Sequence, residues 1–270
     1  MAVKIGIVAN KGGTNKSSVA LCLADAMIHC NYKVLLVDAD QQCNATSVYD
    51  AEIEGVNTMA DVLAGECSAK DAIQHTAMGD IIAGDFELAG LETKLNNEIN
   101  RYELLADALK SVDKLYDYII IDTPPALGVY TLNAIIASDG VIVPIKADKF
   151  AVDGLRRTID TINSVKDKSH KKDIKIYGVL LSSYDVRTNL GKSTWETLPK
   201  VGKQMGFRVF KTPIRVCQLI PDAQAAQMSI FEMDPGSNAA KDYAQSLLSV
   251  SSLFLTRDNA NTKRVHPQRR

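Results

Sequence analysis

The residues between Ala9 and Ser18 carry the first sign of chemistry in the sequence. An apolar run, Val3 to Val8, leads into Lys11-Gly12-Gly13-Thr14-Asn15-Lys16-Ser17-Ser18, and a helical pattern follows. Consecutive backbone N–H groups of such a loop cradle phosphate oxygens, and the helix N-terminus adds its positive dipole. Lys16 is placed to bridge β- and γ-phosphates, and Ser17 to ligate Mg²⁺. The pattern therefore predicts a phosphate-binding loop that spans Lys11 to Ser18.

This loop departs from the usual pattern G-x-x-x-x-G-K-[ST], because Asn10 and Asn15 stand where the glycines belong. Asparagine tolerates left-handed backbone conformations better than most residues, so we expect Asn15 to hold the turn at modest cost. A second lysine, Lys11, lies five residues before Lys16. It is placed to reach phosphates either in its own subunit or across a dimer interface.

Aspartates follow two apolar runs. Asp38 and Asp40 come after Val34 to Val37, and Asp122 comes directly after Tyr118 to Ile121. An aspartate at such a strand end binds Mg²⁺ directly or through water, and a second one orients the water that attacks the γ-phosphate. A single aspartate there would fit a helix N-cap equally well. Three of them around one phosphate loop favour a metal and catalytic role.

Short β-branched runs alternate with helical patterns, which predicts an α/β fold with a mostly parallel, twisted sheet covered by helices on both faces. The predicted strands are Val3 to Val8, Lys33 to Val37, Asp80 to Ala83, Tyr118 to Ile121, Gly140 to Ile145 and Ile174 to Leu181. The predicted helices are Ser17 to Ile28, Arg101 to Val112, Val129 to Ala137, Val152 to Val165 and Ser193 to Met205. Ligands of such sheets bind at the carboxyl ends of the strands, where the motifs above lie.

Composition excludes several classes of protein. The 270 residues include 31 basic and 32 acidic ones, and 46% are hydrophobic, so disordered, collagen-like and disulfide-scaffold chains are excluded. The five cysteines contain no C-x-x-C pair, which indicates reduced thiols. The N-terminus lacks signal-peptide features, and no run reaches about 18 apolar residues. We therefore expect a cytoplasmic protein without a membrane anchor.

The charges are unevenly distributed along the chain. Residues 1–150 hold 11 basic and 21 acidic side chains, whereas residues 151–270 hold 20 basic and 11 acidic ones. Such asymmetry is a hint of nucleic-acid or membrane contact, although two independently solvated halves would give the same numbers. We predict one domain over residues 1–255 and a basic, disordered tail over residues 256–270, which is either a solvated terminus or a nucleic-acid arm.

Several motifs in this order resemble the deviant Walker A ATPases of the ParA/MinD group, and within it the Soj-like ParA DNA-partition ATPases. The family loop K-G-G-x-x-K-[ST] matches residues 11–17, D-x-D-x-Q-x-N-A-T matches residues 38–46, and D-x-P-P with L-G-x-x-T-x-N-A matches residues 122–134. The segment at residues 184–190 is similar to the family's D-x-R-T-N-L, and residues 234–237 to its D-P-x-S turn. The resemblance covers roughly residues 3 to 250.

This resemblance implies a P-loop NTPase fold, ATP and Mg²⁺ as cofactors, and a role for each matched residue. Lys11 is then the signature lysine that reaches the nucleotide of the partner subunit, and Lys16 is the phosphate-loop lysine. Ser17 is a Mg²⁺ ligand, Asp38 and Asp122 support the metal site, and Asp40 positions the attacking water. ATP-bound homodimers of this family bind DNA without sequence preference and are released when a centromere-binding, ParB-like partner stimulates an otherwise weak hydrolysis.

Some positions differ from the family. Asn15 and Cys43 replace glycines, and Gln41 replaces a proline. The family's Pro-Arg-Asn-Val-Arg stretch is absent, and Arg215 lies beside its arginine positions without aligning with them. The predicted DNA contacts are Arg187, the best single candidate, together with Lys192 and Arg215. No recognition-helix, zinc-finger or RNP signature appears, so we expect non-specific, nucleoid-associated binding.

Three other functions compete with a partition ATPase. A MinD-like membrane-associated ATPase needs a basic amphipathic C-terminal helix, but the last helix, predicted near Asn238 to Leu255, has Lys241 as its only basic residue. A metal-cluster carrier of the same fold class needs a cysteine pair that the chain lacks. A nucleotide-dependent scaffold without hydrolysis is disfavoured by Asp40.

Overall fold

A computed structural model describes residues 1–95, 98–169 and 173–254, with side chains described up to residue 246. The basic tail predicted over residues 256–270 lies outside the described residues, and the single-domain boundary stays a prediction. Within the described residues, seven strands form one sheet in the order β3-β4-β2-β5-β1-β6-β7. They are β1 Val3–Ile7, β2 Val34–Asp38, β3 Ile73–Thr76, β4 Gly79–Ile82, β5 Tyr118–Asp122, β6 Gly140–Lys146 and β7 Lys175–Ser182.

The predicted mostly parallel sheet is confirmed. All neighbouring strands run parallel except β3 and β4, which pair antiparallel at one edge. The edge strand β3 is missing from the sequence prediction because its four residues, IQHT, carry one strongly apolar side chain and are only partly buried. The central strands β2 and β5 are buried at every residue, which explains why their sequences are continuous apolar runs.

Helices cover both faces of this sheet. They are α1 Lys16–His29, α2 Asn44–Val48, α3 Met59–Ala64, α4 Leu88–Leu95, α5 Leu104–Ala108, α6 Val129–Ala137, α7 Ala151–Lys168, α8 Asn189–Met205, α9 Leu219–Ala225, α10 Ile230–Met233 and α11 Asn238–Phe254. The single helix predicted over Arg101 to Val112 is wrong in detail, because α5 ends at Ala108 and a 3₁₀ turn over Leu109–Ser111 follows it.

Alternate side chains of the strands point into different hydrophobic cores. Leu36 and Ile120 belong to a core formed with α1 and α11, whereas Leu35 and Ile119 belong to one formed with α3 to α6. A third core packs α7 and α8 against β6 and β7. Because both faces are covered, binding sites are left at the strand ends, and the carboxyl ends of β1, β2, β5, β6 and β7 meet at one edge.

Candidate nucleotide-binding site

The phosphate loop connects β1 to α1 at the carboxyl edge of the sheet. Asn15 precedes the first residue of α1 and has φ 63° and ψ 36°, so the asparagine holds the left-handed turn that the sequence predicts. Gly13 is also left-handed, with φ 73°. A Cβ added at Gly12 or Gly13 would meet no atom within 4 Å, so both glycines face open space. The loop therefore presents a bare backbone to a ligand.

A cavity of about 530 Å³ opens in front of this loop. Its lining includes Gly12, Gly13, Lys16, Ser17 and Asp40. Two larger cavities, of about 680 Å³ and 730 Å³, lie elsewhere and contain no residue of the phosphate loop and no strand-end aspartate. The predicted loop and the catalytic candidate Asp40 thus share one cavity, which has the size of a small-ligand site.

Lys16 is the most buried charged residue of the loop, with 7% of its surface exposed. Burial lowers its pKa, and the neighbouring carboxylates of Asp122 and Asp40 oppose that shift. Its Nζ donates to the Lys11 carbonyl oxygen at 3.4 Å, a weak bond that leaves donors for an anionic ligand.

Asp38 and Asp122 are register partners on β2 and β5, and both are fully buried. Burial raises the pKa of each carboxyl, the Asp38 carboxylate raises the pKa of Asp122 further, and the nearby Asp40 carboxylate raises both. Two buried carboxylates side by side are unfavourable unless a cation or a proton offsets their charge. This pair therefore favours a bound cation.

The two carboxylates have different partners. Both oxygens of Asp38 accept hydrogen bonds, from Thr46 N at 2.9 Å and Thr46 Oγ1 at 2.8 Å and from Asp40 N at 3.1 Å. Asp122 Oδ1 accepts from Thr123 N at 3.0 Å, whereas among the described residues its Oδ2 has no partner with hydrogen-bond geometry. The nearby Ser17 hydroxyl lowers the pKa of Asp122. A free, buried carboxylate oxygen beside Ser17 fits Mg²⁺, for which oxygen is the preferred ligand.

Within the described residues, no group of three or more His, Cys, Asp or Glu side chains could hold a metal ion by itself. This agrees with a Mg²⁺ site, since Mg²⁺ is usually bound by one or two protein oxygens together with waters and substrate phosphates. Ser17 and Asp122 have the contacts expected of such ligands, whereas Asp38 contacts Thr46 and the backbone that leads to Asp40.

Asp40 is 4% exposed and lies at the rim of the cavity. Its Oδ1 accepts from Gln42 N at 3.0 Å, and its backbone N–H donates to Asp38. The next turn is unusual, because Cys43, at the family's glycine position, is left-handed with φ 53° where it precedes α2. The hydrogen bonds from Asp40 N to Asp38 and from Gln42 N to Asp40 thus fix the segment after β2 and keep the Asp40 side chain in the lining of the cavity.

Lys11 has a partner that the sequence analysis missed. Its Nζ lies 2.5 Å from Asp148 Oδ2, and about 40% of the lysine side chain is exposed. Partial burial of Asp148 raises the pKa of that carboxyl, but the hydrogen bonds from Lys11 and from Phe150 N, together with the positive charges of Lys11 and Lys146, outweigh burial and lower the pKa. Asp148 follows β6, so the strand-end signal that identifies Asp38 and Asp122 would have found it too.

The three predicted DNA contacts lie on two adjoining segments. Tyr184 N donates to Ile214 O at 2.7 Å and Val216 N to Tyr184 O at 3.0 Å, which places the turn with Arg187 beside the segment with Arg215. Arg187 forms an ion pair with Asp185 at 2.9 Å, and its side chain is 82% exposed. Arg215 binds the buried Asp242 of α11 through Nε, Nη2 and its backbone N–H. Lys192 is exposed on the first turns of α8.

Comparisons with known proteins identify the family. The model of a family described as an AAA domain matches residues 2–176. The sporulation initiation inhibitor protein Soj of Bacillus subtilis is 36% identical over 244 residues, which cover 88% of this chain and 94% of Soj. The chromosome partitioning protein ParA of Caulobacter vibrioides is 36% identical over 193 residues, 70% of this chain and 72% of that protein. The chain belongs to the Soj/ParA family of P-loop ATPases.

Solved structures agree with this family and its fold. Cobyrinic acid a,c-diamide synthase from Mycobacterium smegmatis, solved with bound ADP and magnesium, has a TM-score of 0.80 and 26% identity, with 99% of this chain and 100% of that one covered. The predicted P-loop NTPase fold, the ATPase activity and the cofactors ATP and Mg²⁺ are therefore confirmed for this Soj/ParA chain. The roles of single residues stay predictions.

The sequence analysis of this Soj/ParA ATPase missed the residues that support the loop. Besides Asp148, they are Ser182, the last residue of β7, which contacts Thr14, and Ser183, the next residue, which contacts Asn15. No local pattern marks these serines, because their role depends on where β7 lies beside β6. Thr46 was part of a matched motif, but its two hydrogen bonds to Asp38 were not foreseen.

Proposed function

We propose that the protein is a DNA-partition ATPase whose ATP-bound homodimer binds double-stranded DNA non-specifically and releases it on hydrolysis. One cavity lined by the phosphate loop, with Lys16 and Ser17, and by Asp40 carries the proposal, because it combines phosphate binding with a carboxylate able to orient water. The partitioning role follows the named function of the relatives Soj and ParA.

ATP binding rests on the phosphate loop. The backbone N–H groups of residues 12–18, which include the start of α1, donate hydrogen bonds to the phosphate oxygens. The buried Lys16 adds a positive charge that is shielded from solvent. Ser17 and Asp122 would hold Mg²⁺, with Asp38 supporting them. When bound, Mg²⁺ neutralises charge on the phosphates.

Hydrolysis depends on Asp40. Its carboxylate lines the cavity and its Oδ1 is oriented by Gln42 N. We assign it the task of positioning the attacking water through the remaining oxygen. As the resemblance to ParA ATPases implies, turnover by the isolated protein is weak in this proposal, and a ParB-like centromere-binding partner raises it.

Dimer formation depends on Lys11. Without nucleotide this lysine pairs with Asp148 of its own chain. In the proposed ATP dimer it leaves Asp148 and reaches the nucleotide of the partner subunit. An exposed ion pair is worth only about 0.2–1 kcal/mol, so phosphate competes for this lysine easily.

DNA binding depends on the basic residues after residue 150. Arg187 and Lys192 are exposed on neighbouring turns, and Arg215 adjoins them. They neutralise phosphates without reading bases, which gives sequence-independent and salt-sensitive affinity. The protein then acts in the cytoplasm on the nucleoid. Among the described residues no helix is long and apolar enough to cross a membrane.

The decisive experiment measures binding to random-sequence duplex DNA with ATP and Mg²⁺, with ADP and Mg²⁺, and without nucleotide, beside pelleting with anionic liposomes. We expect a mobility shift only with ATP and no liposome binding. Turnover is measured in parallel with DNA and with the protein encoded next to this one. ATP-dependent liposome binding without a DNA shift would establish the MinD-like membrane alternative instead.

A further inference from the structure

A side-chain hydrogen bond joins the phosphate loop to the turn that carries Arg187. Asn15 Nδ2 donates to Ser183 Oγ at 2.6 Å, across 168 positions of the sequence. Asn15 stands where the family has glycine, a residue without a side chain, so this bond depends on the substitution in this chain. Both residues are partly buried, which limits competition by water.

A second bond fixes the same two segments one residue earlier. Ser182 Oγ lies 3.0 Å from Thr14 O and 3.0 Å from Ile145 O, and Ser182 is 1% exposed. Ser182 therefore ties the end of β7 to both the phosphate loop and β6. It sets the spacing at which Asn15 reaches Ser183.

The backbone on both sides of the bond is specialised. Asn15 has φ 63° and Ser183 has φ 52°, both in the left-handed region that residues other than glycine rarely adopt. Such conformations cost about 1 kcal/mol or more and persist only where surrounding contacts hold them. The Asn15–Ser183 bond is one such contact for both turns at once.

The path from Ser183 to the basic turn is short. Tyr184 pairs with the segment that carries Arg215, and Asp185 accepts from Arg187 N and Nε at 2.9 Å each. Tyr184 also lies against Trp195 of α8, with ring centroids 6.1 Å apart. A displacement of Ser183 would therefore also displace Arg187 and change the environment of Trp195.

We propose that Ser183 is a positioning residue that links nucleotide binding to the 183–188 turn through Asn15. Phosphate bound to the loop holds Asn15 and thereby holds Ser183 and the turn in the arrangement described. Without nucleotide, the turn exchanges with arrangements in which this bond is broken. A ligand shifts such an equilibrium only by binding one state more tightly, and in this proposal phosphate binds more tightly to the loop whose left-handed turn the Asn15–Ser183 bond holds in place. The expected effect of this coupling on DNA affinity rests on the proposed function, whereas the coupling between the nucleotide site and the 183–188 turn does not.

The chain contains a single tryptophan, so Trp195 fluorescence reports on this region without labelling. The wild type, Asn15→Gly, Ser183→Ala and the double variant are compared at saturating AMPPNP and Mg²⁺. Asn31→Gly is the matched control, because Asn31 is also left-handed with φ 63° but lies at the end of α1, away from the loop. Ser183→Gly, which suits a left-handed backbone, serves if Ser183→Ala does not fold.

We expect AMPPNP to change Trp195 fluorescence in the wild type and in Asn31→Gly. Both single variants should lose more than half of that change, and the double variant should lose no more than either, because all three remove one interaction. Amide exchange of residues 183–188 should slow on nucleotide binding only where the bond is intact. A wild type without a nucleotide response, single variants with the full response, or strictly additive losses would each overturn the proposal.

A DNA arm separates this inference from the proposed function. If the proposed function holds, Ser183→Ala should lower the ratio of DNA affinities with and without AMPPNP at least threefold. If no protein binds DNA under any condition while Trp195 responds as expected, the DNA function fails and the link stands. If DNA binding keeps its full nucleotide dependence in both single variants, the link is wrong and the function stands.

Discussion

The phosphate-loop edge and the basic turn beside it differ in how their charges are used. At the loop, Lys16 and Asp122 are buried, and Asp122 Oδ2 has no partner with hydrogen-bond geometry among the described residues. On the turn, Arg187 is mostly exposed and is paired with Asp185, whose pKa it lowers to about 2. In the first region, ionised Asp38 and Asp122 would carry buried charge that Lys16 alone does not balance, so the site takes up a proton or a bound cation, whereas the second region holds exposed charge already paired within the turn.

This difference decides what can be concluded from sequence in each region. Unbalanced buried charge has a definite complement, here a phosphate with Mg²⁺, so residue types and spacing predict the ligand. An exposed arginine contributes to DNA binding only if it exchanges its carboxylate partner for a DNA phosphate. Exposed ion pairs are weak enough to allow this, so the sequence alone does not show which arginines bind DNA. The variants below test this contrast from the largest expected effect to the smallest.

Lys16→Ala should remove ATP binding. The substitution deletes the buried cation of the loop and leaves Asp122 and Asp40 without their nearby positive charge, so we expect affinity for ATP to fall by more than 100-fold, about 2.7 kcal/mol or more. Calorimetry with Mg²⁺ and ATP measures the change, with the exposed Lys70→Ala as control. Unchanged affinity in Lys16→Ala would disprove the site assignment.

Asp40→Ala should keep ATP bound and stop turnover. Loss of a positioned acid or base typically costs about 10²–10⁴ in rate, and Asp40 lies at the cavity without a hydrogen bond to Lys16. Phosphate release should fall by at least about 100-fold while the dissociation constant for ATP changes little, and the variant should accumulate as an ATP dimer. Turnover at the wild-type rate would exclude the assigned role.

The two arginines should separate stability from DNA binding. Among the residues whose side chains are described, Arg215→Ala leaves the carboxylate of Asp242, which is 3% exposed, with only the backbone bond from residue 215. Because the guanidinium is 42% exposed, we expect a loss of about 1 kcal/mol in the free energy of unfolding rather than the full cost of a buried pair. Urea denaturation measures it.

Arg187→Ala is the matched variant for that comparison. It should leave the urea midpoint unchanged, weaken DNA binding equally on all sequences and reduce the slope of log affinity against log salt by about one. A sequence-selective loss would show that Arg187 reads bases. A destabilised Arg187→Ala beside a stable Arg215→Ala would reverse the contrast drawn above.

Asp122→Asn should change how stability depends on pH. Burial and then Asp38 raise the pKa of Asp122 above the ordinary value near 4, so the folded state holds a proton that the unfolded chain releases. Without Mg²⁺ and nucleotide, wild-type stability should fall as pH rises from about 4 through the raised pKa. The variant lacks this titration and should be more stable at pH 8 by about 1 kcal/mol or more.

Urea denaturation at pH 5, 6, 7 and 8 measures this difference in slope. Asp107→Asn is the control, because Asp107 is exposed and pairs with Lys110, three residues along the chain. Equal slopes in Asp122→Asn and the wild type would mean that Asp122 is already charged in the folded state throughout this range, so that its pKa is not raised.

Sequence predicted most of the fold because the buried strands are locally distinct. The runs in β2 and β5 are apolar at nearly every position, and buried parallel strands require such runs. Helix α3 was not predicted, although Thr58 and Asp61 form a capping box at its start, because six residues are too few to show periodicity. The Asn15 turn was predicted because its backbone preference is local.

The rest of the site was not predictable from local patterns. Ser182 and Ser183 support the phosphate loop only because β7 lies beside β6 and extends to the loop, which is a result of long-range pairing. Likewise Arg215 looks like a free cation in the sequence, and its bond to Asp242 depends on the packing of α11. Partnerships between distant segments decide which charges remain available for a ligand.

Asp148→Asn tests the weakest of these partnerships. It removes the carboxylate that holds Lys11, the one loop lysine that is substantially exposed. An exposed pair contributes about 0.2–1 kcal/mol, so release of Lys11 should lower the ATP concentration needed for half-maximal dimerisation by roughly 1.4- to 5-fold. Light scattering against ATP concentration measures it. A shift to higher ATP would mean that Asp148 helps to place Lys11 for the partner subunit instead of holding it back. Lys11→Ala should bind ATP and remain monomeric, which distinguishes that result from a loss of folding.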